Sequence, residues 1–457
     1  MINKSLIPID AINLIDILNK YEYEAYLVGG CVRDMLLDTE PHDWDICTDA
    51  VPSQIIDILK SEGIEYHTVG IEFGTITALI NDNAYEVTTY RSESEYTDGR
   101  HPDAVNYVCD IHKDLCRRDF TINAMAYNPI SNKLVDDFNG KQDIENKLIR
   151  TVGQADERFN EDALRIIRAL RFAIRYNFEI EPETFKSMYE NKDLIDNISK
   201  ERVTQELYKI LTCGKEIRQW FNICHNIVFK MIPELKKCYA FEQNNKYHIH
   251  TVYDHMLYVT DYCKTNDFEI KLAALLHDIG KPDSYTEDEL GHGHFYGHPE
   301  KSFKIAEELL RKDLRLDKKT MDNVLTLIKY HDIMVASTRT SVKKALNKLG
   351  YELFDKYLML KDADIKDHIN LVAIKDKITD IPRVAQLAQD LLDEEACFSL
   401  KDLNINGQDI MNITRSKPGK HIGIILQSLL EQVINEQIEN SKDILIEKAL
   451  ELYENMQ

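Results

Sequence analysis

The sequence predicts an α+β head of mixed β-sheet and helices over residues 1–150, followed by an almost wholly helical remainder. Three observations predict it. Short β-rich runs alternate with helical spacing up to about residue 150. From Glu161 onward apolar residues recur three and four apart, and strand alternation nearly vanishes. The 457 residues, 44% apolar and 29% charged, have the mix of a globular chain with substantial cores, long enough for roughly three or four domains.

In the head, Tyr26-Leu27-Val28, Asp45 to Thr48, Gly74 to Ile80 and Tyr85 to Tyr90 read as strands. Pro52 to Glu62 reads as a helix after a Val-Pro-Ser start. The polar stretch 92–103, with Gly99 and Pro102, reads as a mobile loop. A helical neck is expected over 151–245 and a helical module over 246–366. The module is interrupted by the Gly- and His-rich loop Gly291 to His298, and a helical tail follows over 367–457. No repeat or low-complexity tract stands out.

Asp and Glu number 78 against 56 Lys and Arg, a formal charge of −22. That balance disfavours coating nucleic acid through bulk charge but leaves room for a local basic groove. No apolar run approaches the roughly 20 residues of a membrane span, and no secretion signal is read at the start. Nine cysteines, odd in number and without a C-x-x-C pair, read as reduced thiols of a cytoplasmic protein.

Three pieces of the head carry chemistry. Leu27-Val28-Gly29-Gly30-Cys31-Val32-Arg33-Asp34 is a strand, two glycines and a helix. Its backbone amides suit an anion and Arg33 adds a phosphate donor, although such turns are also common without a ligand. Asp43-Trp44-Asp45 opens a strand, so both carboxylates face one way and suit hard divalent ions; magnesium with a triphosphate is the natural occupant. Glu86 is either a third carboxylate or a solvent-facing strand residue. Arg117-Arg118-Asp119-Phe120-Thr121-Ile122-Asn123-Ala124-Met125-Ala126 places two arginines, an Asp and an Asn before or at the start of an apolar helix. They suit triphosphate oxygens and ribose hydroxyls, or else a capped, charged helix start.

In this order and at these distances, the three motifs resemble the class II tRNA nucleotidyltransferase and bacterial poly(A) polymerase family. The resemblance implies a nucleotidyltransferase-fold head. It implies that Gly30 and Arg33 contact the incoming nucleotide, that Asp43 and Asp45 bind Mg²⁺, and that Arg118 joins the nucleotide site. Glu161-Asp162-x-x-Arg165 is similar to the family's base-selecting helix. Arg165, Arg168 and Arg171 step by three and fit within a roughly 120° sector, and all three are assigned to nucleotide binding. Asp162 and Arg165, expected as helix neighbours, carry the acceptor and donors that separate C and A from U and G. Glu201 to Leu207 is similar to another family motif and is assigned to neck structure.

A second constellation runs from His250 and His255 through His277-Asp278, His298 and His331-Asp332 to Asp364. It resembles the HD phosphohydrolase superfamily, which implies a divalent transition metal on His255, His277, Asp278 and Asp364, with His298 and His331 widening the site towards two metals. The tail is similar to the C-terminal region of bacterial CCA-adding enzymes, expected to hold the tRNA body, although Thr414-Arg415-Ser416-Lys417 departs from the pattern.

The implied activity is addition and repair of the tRNA 3′-terminal CCA. The implied partners are tRNA, CTP and ATP, with neither DNA nor a membrane. The rivals are a CC-adding enzyme, an A-adding enzyme, a poly(A) polymerase, and an HD hydrolase whose head only binds RNA. Thr88 to Glu93, continuing through Asp98 to Pro102, favours full CCA addition.

Overall fold

The computed structural model describes residues 2–93, 105–214, 216–245, 249–367 and 380–456. The loop expected over 92–103 lies, from residue 94 onward, outside the described residues, and so does the segment Asp98 to Pro102. The chain divides into two compact units, Met1–Pro233 and Glu234–Gln457.

The first unit holds a seven-stranded sheet. Its strands are β1 (Ala25–Val28), β2 (Asp45–Thr48), β3 (Glu65–His67), β4 (Thr75–Ile80) and β5 (Asn83–Thr89). Beyond a short separate pair, β6 (Arg91–Glu93) and β7 (Val105–Tyr107), come β8 (Ala126–Asn128) and β9 (Lys133–Val135). The order is β3-β4-β5-β2-β1-β8-β9, and only β2 with β5 is parallel. Helices α1 (Ile9–Lys20), α2 (Gly30–Leu36) and α3 (Pro52–Ser61) pack on it. In α3, Pro52 takes the first turn, where its missing N–H costs nothing.

The helix expected around Arg117-Arg118 is corrected. Helix α4 (Ile111–Cys116) stops before the arginines, Thr121–Asn123 form one 3₁₀ turn, and Ala126–Asn128 become β8. Residues 124–128 are all buried, which leaves a helix no polar face, and they pair instead with β1 through Leu27↔Tyr127 and Val28↔Ala126.

Helices α5 (Gly140–Glu145), α6 (Ala155–Glu161), α7 (Leu164–Tyr176), α8 (Pro182–Glu190), α9 (Lys200–Cys213), α10 (Ile217–Ile223) and α11 (His225–Met231) complete this unit. Helix α7 buries Ile166, Ile167, Leu170 and Ala173 and packs on α9. Its Phe172 meets Phe120 edge-on at 5.6 Å.

The second unit begins with α12 (Val252–Tyr262), α13 (Phe268–Leu276), α14 (Lys281–Ser284), α15 (His298–Lys312) and α16 (Lys318–Tyr330). It continues with α17 (Arg339–Leu349), α18 (Tyr351–Lys366), α19 (Ile381–Asp393), α20 (Gly407–Thr414), α21 (Lys420–Ile434) and α22 (Lys442–Glu454). Thr251 and Asp267 cap α12 and α13 by accepting from the amides of Asp254 and Ile270. Eight of the nine α13 residues are buried, from Phe268 and Ile270 to Leu276, so this helix is the bundle's axis and α12, α16 and α18 pack around it. Its C-terminal end therefore delivers His277-Asp278 to the bundle interior. Gly280 follows. A Cβ there would lie 2.4 Å from the Ser302 amide, so glycine is what lets the start of α15, with His298, come close. Ile410, Ile425, Leu429, Leu430, Leu445 and Ala449 form the core of the tail. Among the described residues, no helix is long and apolar enough to cross a membrane. All nine cysteines are free thiols.

Candidate functional site

Two sites emerge, one in each unit. In the head, Gly29 links β1 to α2 with φ +77°, and a Cβ there would lie 2.8 Å from Nη1 of Arg118. The left-handed backbone favours glycine there, and a Cβ would displace the Arg118 guanidinium. Asp45 opens β2 in register with Glu86 on parallel β5. Paired positions share a sheet face, so Glu86 stands beside Asp45 as a third carboxylate. Only Asp45 belongs to the strand; Asp43, read above as part of it, is exposed in the segment leading in. Burial, then the charges of Glu86 and Asp43, push the Asp45 carboxyl up to about 6 against the pull of Arg118. An all-oxygen set whose charges repel suits a hard divalent cation.

Arg118 donates through Nη2 to Asp114 (3.1 Å), while its Nε is buried without a hydrogen-bond partner among the described residues. Asp114, buried, also accepts from Arg117 Nε (3.0 Å) and Nη2 (2.8 Å). Sequence reasoning missed this acid, although its spacing of three and four from the arginines was a usable signal. Arg33, expected at the incoming nucleotide, is buried and tied within the head. Its Nε donates to Asp34 (2.8 Å) and its Nη1 to Asn123 (2.5 Å), and the guanidinium lies 4.9 Å from the Tyr176 ring centre. The Tyr176 hydroxyl in turn donates to Asp34 (3.2 Å). Nη2 of Arg33 faces Gly30, 3.4 Å from where its Cβ would be.

The neck arginines are each committed to a different acid. Arg165 Nη1 pairs with Glu161 (2.6 Å) and Nη2 donates to the Arg117 carbonyl (2.8 Å). Arg168 donates through Nε (2.8 Å) and Nη2 to Asp119, and Arg171 donates through Nε to Glu206 (2.5 Å). Burial opposes ionisation of Asp119, yet Arg168 and Asn123 hold its carboxyl well below the usual range. The expected Asp162–Arg165 neighbour pair is corrected. Asp162 is extended (φ −143°, ψ 101°), because α7 begins only at Leu164. Its oxygens take the Leu164 amide (3.0 Å) and Arg202 Nη2 (2.8 Å). The 201–207 motif therefore grips the neck helix through Glu206 and the residue leading into it through Arg202. Glu206→Ala is expected to destabilise the protein by about 3–5 kcal/mol in chemical denaturation, because it strands the buried Arg171 charge. Although burial opposes it, Arg171 and Arg168 hold Glu206 below its ordinary value. Its contribution is thus present at neutral pH and lost as pH falls through the carboxylate range.

In the second unit the ligand atoms of His255, His277 and Asp278 lie within 4.8 Å of one another, as do those of Asp278, His298 and His331. His277, His298 and His331 each hydrogen-bond through Nδ1 to the carbonyl three residues earlier, at 2.8, 2.9 and 2.7 Å. In the neutral ring that bond fixes the proton on Nδ1 and leaves Nε2 as a lone pair. Yet His298 and His331 bring Nε2 to Nε2 at 3.1 Å, and His255 and His277 at 3.2 Å. Facing lone pairs are relieved either by a shared proton or by a metal cation. Asp278 Oδ1, buried and without a hydrogen-bond partner among the described residues, lies 3.2 Å from His298 Nε2 and 3.5 Å from His331 Nε2. Asp278 Oδ2 lies 3.2 Å from both His255 and His277, and Asp364 lies 3.4 Å from His255 Nε2. This mixed imidazole and carboxylate set fits a divalent transition metal. Burial opposes it, but Asp278, Asp364 and Asp367 push His255 up to about 10, so a proton competes with any metal there. Asp332 is exposed and outside the cluster. Asp367, which sequence reasoning missed, lies 2.8 Å from His255 Nδ1.

Three family models match: "Poly A polymerase head domain" over residues 25–150, "Probable RNA and SrmB- binding site of polymerase A" over 177–238, and tRNA nucleotidyltransferase domain 2 over 302–449. A CCA-adding enzyme of Staphylococcus epidermidis is 33% identical over 93% of each chain. One of Staphylococcus aureus is 48% identical over 202 residues, 44% of this chain and 48% of that one. The fold is similar to that of a Bacillus stearothermophilus CCA-adding enzyme solved with CTP, at a TM-score of 0.72 and 24% identity, covering 98% of this chain and 97% of that one. Identity sustained at 33% along nearly the whole of both chains reflects common ancestry, and the protein belongs to the CCA-adding enzymes, the class II tRNA nucleotidyltransferases.

Proposed function

We propose that this protein adds and repairs the 3′-terminal CCA of tRNA without a nucleic-acid template, from CTP and ATP. The Asp45–Glu86 register beside Arg118 is the observation that carries the reading. The tRNA 3′-hydroxyl attacks the α-phosphate of the nucleotide, and pyrophosphate leaves. Asp43, Asp45 and Glu86 would hold Mg²⁺, which when bound makes the attacking hydroxyl more acidic and neutralises the departing phosphates. The amides at Gly30 and the guanidinium of Arg118 hold the triphosphate. Arg33, Arg168 and Arg171 keep the turn, the 117–126 segment and the neck helix in register. Asp162 and Arg165 read the base, positioned by Arg202 and Glu161. In this reading the head is 1–150, the neck 151–245, the HD module 246–366 and the tRNA-holding tail 367–457. Free thiols throughout support a cytoplasmic location.

The test supplies CTP and ATP separately to tRNAs lacking CCA, CA or only the final A. Two C additions followed by one A are expected; extension that stops at CC, or that adds only A, would replace full CCA addition by a partial activity.

We also propose that His255, His277, Asp278 and Asp364 hold a divalent transition metal, extended by His298 and His331, for phosphoester hydrolysis. The two chemistries lie in separate compact units. His277→Ala with Asp278→Ala is therefore expected to leave CCA addition within about twofold of the parent while bound metal falls. A well-folded double mutant that loses both together would refute the separation.

A further inference from the structure

We propose that Asp367 is a positioning residue for His255 and makes the His255 side of the cluster the tighter of two metal positions. The proposal rests on the reading of this cluster as a metal centre.

The four imidazoles are not held alike. His277, His298 and His331 each use a backbone carbonyl to fix Nδ1. His255 alone uses a carboxylate: Asp367 Oδ2 lies 2.8 Å from its Nδ1, and the Asp367 side chain is only 3% exposed. Asp367 follows Asp364 by three residues at the end of α18, so the two carboxylates reach opposite edges of one ring. Asp364 stands 3.4 Å from Nε2, on the ligand side, and Asp367 stands behind it at Nδ1. Oδ1 of Asp367 is steadied in turn by His250 Nε2 at 3.5 Å. A carboxylate behind an imidazole fixes the ring's orientation and tautomer and makes its free nitrogen a stronger donor than a carbonyl does.

Asp278 divides its oxygens between the two positions. Oδ2 faces His255 and His277, and Oδ1 faces His298 and His331. The first position has the carboxylate-backed imidazole and Asp364 in addition; the second has two carbonyl-backed imidazoles. Although Lys281 Nζ also lies 2.7 Å from Asp278 Oδ2 and a proton competes at His255, the carboxylate-backed imidazole and Asp364 make the first position the one that fills at lower metal concentration, and Asp367 is the group that sets the difference.

The test is calorimetric titration of the metal-free full-length protein with Mn²⁺, with bound metal counted by mass spectrometry. The parent is expected to bind two ions with unequal affinity. Asp367→Asn, which keeps the shape and removes the charge, should weaken the tighter position by about 10–100-fold and leave the weaker one unchanged. His298→Ala should remove the weaker position alone. If the Asn variant does not fold, Asp367→Ser carries the same expectation. A parent that binds no metal overturns the metal reading and the proposal with it. A parent that binds two ions, with an Asp367 variant that binds them just as tightly or weakens both equally, overturns the proposal and leaves the metal reading standing.

Discussion

Asp45→Asn is expected to lower kcat for nucleotide addition by about 1000-fold or more, with tRNA binding close to that of the parent. The variant removes a negative charge from the set that would hold the cation and leaves the neck and tail untouched. Asp43→Ala should give the same loss. A second, opposite effect distinguishes Asp45 from an ordinary surface acid. Its carboxyl is pushed up to about 6, from an ordinary 3.8. A raised carboxyl stabilises the fold in its protonated form, an effect present below the unfolded value and lost as pH rises through about 6. At neutral pH the ionised Asp45 is therefore a strain on the metal-free protein, worth at most about 3 kcal/mol. Asp45→Asn should raise the thermal midpoint of the metal-free protein at pH 7.5, and the difference should vanish near pH 4. Apparent metal affinity in the parent should fall as pH drops through about 6, because a proton takes the cation's place. An inactive variant with an unchanged melting temperature at pH 7.5 would contradict this account of Asp45.

Asp162→Ala and Arg165→Ala are expected to reduce discrimination against UTP and GTP by about 5–150-fold, the range of one lost bidentate base contact. The effect on triphosphate affinity should be smaller, because Arg118 and the Gly29-Gly30 turn are unchanged. Arg202→Ala should give a milder relaxation of the same kind, since it removes the partner that orients Asp162 without removing the carboxylate. The readout is misincorporation at each position of the CCA end. If UTP and GTP stay excluded as firmly as before in the Asp162 and Arg165 variants, base reading lies elsewhere in the neck.

Much of the site was legible because its signals are short-range. Strands at 25–28 and 45–48 follow from β-branched and aromatic residues between turn residues, and the placement of Asp45 follows from β2. Gly29 announces a backbone only glycine adopts freely, and His277-Asp278 directly after the apolar run Leu272 to Leu276 announces a polar centre inside a bundle. The misreadings share one cause. Residues 124–128 were ambiguous between helix and strand by local pattern, and pairing with β1, about 100 residues earlier in the chain, decided the matter. Asp162 and Arg165 read as neighbours on one helix, but Asp162 itself is extended, accepting from the Leu164 amide at the start of α7 and gripped by Arg202, 40 positions on.

The sequence by itself determined the fold class, the candidate carboxylates and histidines, and the family, because residue type and local spacing are written along the chain. Only the tertiary structure decided their partners. Glu86 came to stand beside Asp45 through the parallel register of β2 with β5. Arg33 became a buried tie through Asn123 and Tyr176, and Asp367 joined His255 across 112 positions. The physical reason is one of range. A buried charge or imidazole must find its counter-charge or hydrogen-bond partner wherever packing brings one, and packing joins residues whose separation along the chain carries no pattern.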